Sequence, residues 1–225
     1  MYITALDLGT SQIKALTAET IKDNKLSLLG VFKIPSRGFR KGEIVDIGES
    51  VQAFNHVINE IKKIDKAAAK NIFVNVGGVN VKIQNSRGIV AVSRADNEIY
   101  QEDIDRVIKA SQAVNIGPNR IILHTITKEF VVDGIDEIFE PLGMVGSRLE
   151  VNSLIIDAFK PTVNNLIKTV ELAGGKIGGL IYTPLASSRA VLSKNQKELG
   201  AVMIDIGFGT TSMAVYEEGE LIQAS

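Results

Sequence analysis

The pattern of apolar and polar positions along the first third of the chain predicts three strands, a helix and a fourth strand. In the helix, apolar side chains recur every three or four positions from Val51 to Ile64, which is the spacing of a helix that lies on a sheet. Ser50 directly precedes this stretch and is predicted to cap the helix. This order of elements is typical of an α/β layer. The predicted strands span residues 3–8, 13–18, 26–34 and 72–76.

The middle of the chain has a different pattern, which predicts a small two-layer module of its own. Residues 79–83 and 89–92 are predicted to form a hairpin around the polar run Asn85-Ser86-Arg87-Gly88. Arg148 and Glu150 are predicted to form an exposed ion pair, which contributes little to stability. The remaining predicted elements are a helix over 101–114 and strands over 121–132 and 149–157.

Proline and glycine mark the elements in the last third of the chain. Pro161 opens a predicted helix that ends at Gly174-Gly175. A strongly apolar strand over 201–206 then leads through a glycine turn into a further hairpin. The chain ends there with an open sheet edge, so we expect it to be part of a longer protein. The shorter predicted elements are a strand over 180–182, a helix over 183–192 and the hairpin strands over 213–216 and 221–222.

Composition excludes several classes of function. The 225 residues include 25 basic and 26 acidic side chains, and this near-neutral balance argues against a nucleic-acid-binding protein. The absence of cysteine excludes disulfides, thiolate metal sites and cysteine nucleophiles. His56 and His124 stand in unrelated contexts, which disfavours a histidine metal cluster. No apolar run approaches the roughly 20 residues that a membrane-spanning helix needs.

Two segments near the ends of the chain, 5–11 and 204–211, repeat one pattern. Each is an apolar strand with an aspartate near its end, then a glycine turn with hydroxyl residues, then a second strand. Glycine lets the backbone amides of such a turn point inward and form a nest for phosphate oxygens. A single copy is also common in ordinary turns, but two copies favour a clamp on one polyphosphate. The predicted phosphate-binding residues are Asp7, Gly9, Thr10, Ser11, Asp205, Gly207, Gly209, Thr210 and Thr211.

The two aspartates of this repeat suit a magnesium ion. Magnesium prefers oxygen ligands and usually keeps several of its waters. Asp7 and Asp205 are therefore predicted to face one cleft and to hold a hydrated magnesium ion through water. Neither segment matches the P-loop or the dinucleotide-binding glycine pattern, so those sites are not indicated.

The paired hairpins resemble those of the actin, sugar-kinase and heat-shock-chaperone superfamily. Residues 2–16, 124–134 and above all 141–151 (PLGMVGSRLEV) are similar to the FtsA family of bacterial cell-division proteins. Residues 173–192 and 198–211 are similar to it as well, so the resemblance covers essentially the whole chain.

The resemblance implies the fold and its division into domains. The implied fold is α/β, an actin-like (ribonuclease-H-like) domain with an inserted small α+β subdomain and the start of a second actin-like domain. The implied boundaries are 1–80 plus 160–199 for the first domain, 81–159 for the insertion and 200–225 for the first hairpin of the second domain.

The resemblance also implies cofactors and partners. It implies binding of ATP and magnesium, polymerisation into filaments, and attachment of the tubulin-like division protein FtsZ to the inner membrane. In this family a C-terminal amphipathic helix gives peripheral membrane attachment from the cytoplasmic side, and both that helix and the FtsZ-binding surface lie in a part not present here. The inserted subdomain is implied to contact other division proteins.

Three residues depart from the family pattern and bear on catalysis. Phe208 and Ser212 replace a glycine and an acid of the second hairpin, and Thr183 stands before Pro184 where the superfamily has Glu or Gln. These changes weaken a role in hydrolysis more than one in binding, so at most a weak ATPase is expected. Lys14 either contacts a phosphate, as the matching lysine of actin-like proteins does, or is a solvated strand lysine.

Two alternatives stay open at this point. One is the related actin-like adaptor of pilus assembly, and the other is a small-molecule kinase of the same superfamily, which needs a carboxylate base near its substrate. The present chain alone is expected to bind ATP weakly or undetectably, since adenine is held largely by the second domain in this superfamily. It is also expected to self-associate through its C-terminal hairpin.

Overall fold

The computed structural model describes residues 1–114 and 116–225, and these form two compact units. The first unit comprises Met1–Val81 and Phe159–Ser225, and the second comprises Lys82–Ala158. The strands are β1 (Tyr2–Leu8), β2 (Gln12–Thr20), β3 (Leu26–Pro35), β4 (Phe39–Arg40), β5 (Glu43–Ile44), β6 (Ile72–Val76), β7 (Val81–Ala91), β8 (Arg120–Val132), β9 (Ile135–Ile138), β10 (Arg148–Phe159), β11 (Ile177–Tyr182), β12 (Ala201–Ile206), β13 (Thr211–Glu217) and β14 (Glu220–Ala224). The α-helices are α1 (Ile47–Ile64), α2 (Gln101–Ser111), α3 (Lys160–Leu172), α4 (Thr183–Val191) and α5 (Lys194–Glu198).

A five-stranded sheet with the order β11-β6-β1-β2-β3 forms the centre of the first unit. Strand β6 runs parallel to both β1 and β11, whereas β2 is antiparallel to β1 and to β3. The apolar face of α1 contributes Phe54, Ile58 and Ile61, all fully buried, to the core of this unit. Because β1, β6 and β11 are parallel, their carboxyl ends meet at one edge of the sheet, where a site can be assembled from three segments.

The amino terminus of α1 differs from the prediction. The helix begins at Ile47 after Asp46, whose Oδ1 accepts a hydrogen bond from the amide of Glu49 at 2.9 Å. The prediction that Ser50 caps the helix is therefore wrong. Ser50 is buried one turn inside the helix, and its hydroxyl donates to the carbonyl of Arg37 at 3.2 Å.

A second sheet of the first unit has the order β12-β13-β14. Its buried side carries Met203, Ala214 and Tyr216, and the hydroxyls of Tyr216 and Ser188 of α4 are hydrogen bonded at 2.7 Å. The strand spanning 201–206 was predicted with these bounds, and it ends directly before the second glycine turn.

The second unit is a four-stranded sheet with the order β7-β10-β8-β9, against which α2 packs. Its core joins residues from the helix and from all four strands or their ends. Among the described residues, none of these strands joins the five-stranded sheet. The fully buried core residues are Ile99, Val107, Leu149 and Val151.

The hairpin predicted over residues 79–92 is wrong, because β7 is one continuous strand. The polar run that suggested a turn is used within the strand instead: the Ser86 hydroxyl donates to the carbonyl of Ser111 at 2.6 Å, and Asn85 accepts from Lys128 at 3.1 Å. Gly88 lies against the last turn of α2, where a Cβ atom would come within 2.6 Å of the amide nitrogen of Ser111. Glycine is required at position 88 because β7 and α2 pack closely there, and not because the chain turns.

Two further details of the second unit differ from the predictions. Helix α2 ends at Ser111, before Val114, because the amides of Gln112 and Ala113 bond three residues back and tighten the last turn. The pair of Arg148 and Glu150 is present at 2.9 Å, but the Glu150 side chain is buried. A second guanidinium, from Arg87, also pairs with it. A buried carboxylate between two arginines is not the exposed pair that was predicted.

Candidate functional site

The two glycine turns of the first unit are closed by the same backbone hydrogen bond. In the first, the amide of Gly9 donates to the carbonyl of Gln12 at 3.0 Å. In the second, the amide of Gly207 donates to the carbonyl of Thr210 at 2.9 Å. Each turn therefore has four residues and connects two antiparallel strands that pair directly on either side of it. The similarity seen in the sequence is a similarity of structure.

Both turns line one cleft of about 820 Å³. A Cβ atom at Gly209 would lie 2.9 Å from the hydroxyl oxygen of Thr10, so the tips of the two turns approach each other as closely as glycine allows. All of the candidate residues line this cleft: Asp7, Gly9, Thr10, Ser11, Lys14, Asp205, Gly207, Gly209, Thr210 and Thr211.

A third loop reaches the same place, which the sequence did not indicate. The amide of Gly42, between β4 and β5, donates to the hydroxyl of Thr10 at 3.0 Å. Gly42 has a φ of 77°, and Lys41 before it has a φ of 50°, so the chain reverses here in the left-handed region. Lys41 also lines the cleft and adds a cation to its rim.

Asp7 is held by two donors. It lies directly opposite Lys14 in the β1–β2 ladder, and the Lys14 ammonium donates to Oδ2 of Asp7 at 3.0 Å. The side-chain amide of Asn75 donates to Oδ1 at 3.0 Å. Lys14 is thus paired with the aspartate at the mouth of the cleft, and about half of its side chain is exposed.

Asp205 has a different environment, although it occupies the same position in its hairpin. The hydroxyl of Ser187, in α4, donates to its Oδ2 at 3.1 Å. The residue opposite Asp205 in the ladder is Ser212, where the first hairpin has Lys14. The pair of hairpins is therefore asymmetric, with a cation beside one aspartate and hydroxyls beside the other.

Thr183 lies at the start of α4 and is occupied by structural contacts. Its hydroxyl donates to the carbonyl of Val76 at 3.1 Å and accepts from the amide of Asn75 at 3.3 Å. A Cβ atom at Gly77 would lie 2.8 Å from this hydroxyl oxygen, so there is no room for a larger neighbour. This hydroxyl is engaged by the protein both as donor and as acceptor.

Two aromatic side chains of the cleft have opposite environments. Tyr182 is buried in the wall, and burial raises its pKa to about 12, so it is a neutral phenol at physiological pH. Phe208 stands at the tip of the second turn with 83% of its surface exposed. Its ring projects into solvent from a position where the first turn carries Thr10.

The described residues hold no group of three or more His, Cys, Asp and Glu side chains that matches a protein-only metal site. A cation in this cleft would have two carboxylates, hydroxyls and waters as oxygen donors, which suits a hydrated hard cation that is also bound by phosphate. In residues 1–114 and 116–225, every helix is too short or too polar to cross a bilayer.

Sequence reasoning missed Asn75, Gly42 and Glu43, which line the cleft, and Ser187, which donates to Asp205. Only Asn75 had a local signal. It is the one polar residue in the strand IFVNV and directly precedes Val76 and two glycines. The others come from separate segments, and the tertiary structure alone brings them to the cleft or to a cleft residue.

The sequence is similar to that of known cell-division proteins. The model of the SHS2 domain inserted in FtsA matches residues 78–157. The cell division protein FtsA of Bacillus subtilis (strain 168) is 40% identical over 221 residues, which cover 98% of this chain and 50% of that protein. FtsA of Escherichia coli (strain K12) is 31% identical over 219 residues, which cover 97% of this chain and 52% of that protein. The chain is therefore similar to FtsA cell division proteins over nearly its whole length. It spans about half the length of the curated relatives it matches.

Solved structures agree on the fold. The PilM-PilN type IV pilus biogenesis complex matches 99% of this chain and 60% of the other with a TM-score of 0.67 at 13% identity. The ethanolamine utilization protein EutJ from Carboxydothermus hydrogenoformans matches the whole chain with a TM-score of 0.52 at 14% identity. At these identities the likeness concerns the fold alone, which is a mixed α/β, actin-like fold with an SHS2 domain inserted.

Proposed function

We propose that this chain carries the phosphate-binding part of an ATP-binding, actin-like cell-division protein. The observation that carries the proposal is the pair of glycine turns, which have the same hydrogen bond and line one cleft. One such turn is an ordinary feature of a sheet. Two, with an aspartate at the same position before each, form a clamp suited to a polyphosphate.

The residues of the cleft fit a magnesium–nucleotide complex. The amides of the two turns would bind phosphate oxygens, and Lys14 and Lys41 would balance their charge. Asp7 and Asp205 would hold a magnesium ion through its waters, and the ion would neutralise the phosphates. Because only the first hairpin carries a lysine opposite its aspartate, the phosphate chain would have a cation on one side and hydroxyls on the other.

Hydrolysis is proposed to be weak at most. A hydrolytic site needs a group that positions and activates water. Thr183 stands where the superfamily carries Glu or Gln, and its hydroxyl is already shared between Val76 and Asn75. The cleft therefore supports binding better than turnover.

We propose a division of labour along the chain. Residues 1–80 plus 160–199 form the first actin-like domain, 81–159 the inserted interaction subdomain, and 200–225 the first hairpin of the second actin-like domain. The separation into two compact units supports the insertion. By family resemblance, the complete protein polymerises and tethers FtsZ filaments to the inner face of the cell membrane, where the inserted subdomain contacts other division proteins.

The alternatives have less support. The pilus adaptor rests on a structural likeness at 13% identity, whereas FtsA proteins are 31–40% identical to nearly the whole chain. A kinase needs a free carboxylate base beside the phosphates. Glu43 lines the cleft, but its Oε1 already accepts a hydrogen bond from Asn80 at 2.5 Å.

The test of nucleotide binding is titration calorimetry of the natural full-length protein with ATP, with and without magnesium. We expect binding that requires magnesium, and a loss of at least tenfold in affinity when Asp7→Asn or Asp205→Asn removes a carboxylate. Asp136→Asn, on an exposed strand of the second unit, is the control and leaves affinity unchanged. Unchanged affinity in both cleft variants would exclude this cleft as the site.

The cellular part of the proposal needs a separate experiment. A fluorescent fusion of the full-length protein is expected to concentrate at the division site and to co-sediment with FtsZ filaments in the presence of vesicles. A fusion spread evenly through the cell, with no co-sedimentation, would contradict the tether role and leave the nucleotide site untouched.

A further inference from the structure

We propose that Asn75 is a positioning residue that fixes the Asp7 carboxylate for magnesium-dependent nucleotide binding. This inference rests on the proposed function and names a residue that lies outside the two repeated hairpins. Asn75 lies near the end of β6, between Asp7 on β1 and Thr183 directly after β11. From this place its side chain contacts both neighbouring strands' ends.

The hydrogen bonds of Asn75 define the orientation of its amide. Its Oδ1 accepts from the amide of Leu8 at 2.7 Å, so its Nδ2 must face the other way. There Nδ2 donates to Oδ1 of Asp7 at 3.0 Å and toward the Thr183 hydroxyl at 3.3 Å. A flipped amide would place a donor against the Leu8 N–H and an oxygen against a carboxylate, and both contacts are repulsive.

The Thr183 hydroxyl supports the same arrangement. Because it donates its proton to the carbonyl of Val76, its oxygen is left to accept from Asn75. Donor and acceptor thus alternate along the whole chain of contacts, from the Leu8 amide to the Val76 carbonyl. Such a connected network holds each member more firmly than an isolated hydrogen bond does.

The two oxygens of Asp7 consequently have partners of different kinds. Oδ1 is bound by Asn75, which is fixed by backbone contacts, whereas Oδ2 is bound by Lys14, a flexible side chain about half exposed in the cleft. When Lys14 turns to a phosphate, Oδ2 becomes free for a metal-bound water while Asn75 keeps the carboxylate in place. Asn75 would therefore control the magnesium dependence of binding, not only stability.

The test compares Asn75→Ala with Asn71→Ala in the natural full-length protein. Asn71, at the other end of β6, makes a similar amide donation to the carbonyl of Tyr2 at 3.3 Å and does not line the cleft. Dissociation constants for ATP are measured with magnesium and with a chelator. We expect Asn75→Ala to raise the constant about tenfold with magnesium and less than twofold without it, and Asn71→Ala to change neither more than twofold.

The outcomes separate this inference from the proposed function. If the wild type binds magnesium–ATP and Asn75→Ala raises both constants equally or neither, Asn75 has only a structural role and the inference is overturned, while the nucleotide site stands. If the wild type binds no ATP, both are overturned.

A second measurement covers the case in which Asn75→Ala does not fold. In nucleotide-free protein labelled with ¹⁵N-asparagine, the side-chain amide resonances of Asn75 are expected to shift on Asp7→Asn and on Thr183→Val, and to stay in place on Asp136→Asn. If the Asn75 resonances do not shift on Asp7→Asn, the inference is overturned, and this result needs no nucleotide.

Discussion

At the scale of single residues, glycine has two different uses in this chain. Gly9 and Gly207 allow turns to close, whereas Gly88 and Gly209 allow other segments to come close. The second use leaves no trace in local sequence, because the neighbour that needs the space lies far along the chain. Adding a side chain at such a glycine is nevertheless expected to lower the free energy of unfolding markedly.

Gly88→Ala tests this use of glycine. The added methyl group would overlap the backbone of α2 at Val107 and Ser111, and backbone gives way less easily than a side-chain end. We expect a loss of about 1–3 kcal/mol in the free energy of unfolding, measured by urea denaturation. Gly48→Ala, in the first turn of α1, is the control, since its Cβ would meet only Oδ1 of Asp46 at an ordinary 3.4 Å, and it is expected to be neutral or slightly stabilising. Equal effects of the two variants would contradict the close packing.

At the scale of elements, end signals decide where helices begin. Asp46, and not Ser50, caps α1 because its side chain reaches the amide of Glu49 while its backbone stays extended. Aspartate and serine are both good caps. Burial decides between them here, because Ser50 is buried within the helix and Asp46 is left to cap its start.

Asp46→Ala is expected to cost about 1 kcal/mol of unfolding free energy, since it leaves an amide of the first turn without its acceptor. Glu60→Ala, which removes an exposed ion pair with Lys63 in the same helix, is expected to change stability by less than about 0.5 kcal/mol. Thermal or urea unfolding of both variants gives the two losses of unfolding free energy. A larger loss for Glu60→Ala than for Asp46→Ala would contradict the role of Asp46 as the cap.

The second unit is expected to lose stability in acid. Burial acts to raise the pKa of Asp103, but the backbone donor of Tyr100 and the guanidiniums of Arg106 and Arg94 outweigh it and hold this pKa below its usual value. A lowered native pKa stabilises the fold above the ordinary aspartate value of about 3.9. That contribution to stability is lost as the pH falls through the pKa that Asp103 has in the folded protein.

Urea midpoints measured between pH 6 and pH 3 check this expectation. The wild type is expected to become less stable below about pH 4, and Asp103→Asn to be less stable at pH 6 but flatter across the acid range. Asp105→Asn, on the exposed side of α2, is the control and keeps the wild-type slope. An unchanged slope in Asp103→Asn would show that other groups cause the acid loss.

Periodicity and glycine were enough to predict most elements and the two turns of the candidate site. Strands β6 and β12 have the predicted bounds, because short apolar runs with clear stops leave little choice. The predicted hairpin around Gly88 failed because polar residues and a glycine within β7 serve contacts with α2 and β8. Asn75, Gly42 and Ser187 escaped prediction of the site because strand order and register bring them there.

At the scale of the whole molecule, the cleft combines two matching glycine turns with the exposed ring of Phe208. Phe208 contributes almost no buried surface, so its removal should cost little stability. It lines the cleft at the tip of the second turn, and we expect its bulk to narrow the approach of a terminal phosphate to the proposed nucleotide site.

Phe208→Ala is therefore expected to increase the affinity of the full-length protein for ATP by a few-fold and to leave affinity for ADP nearly unchanged. Phe139→Ala, which removes an exposed ring outside the cleft, is the control. Calorimetric titration with ATP and with ADP gives, for each nucleotide, the ratio of the variant's affinity to that of the wild type. A decrease in ATP affinity would mean that the ring contributes contacts to the nucleotide.

The contact between Thr10 and Gly209 also sets an order of events in folding. Each glycine turn closes over four residues, and hairpins form within about 1–10 μs. The meeting of the two turns joins the beginning of the chain to its last part, and such distant closures come late because their entropy cost is met only by other native contacts. A ligand that needs both turns finds no site in the partly folded chain. It would slow unfolding and leave the rate of folding unchanged.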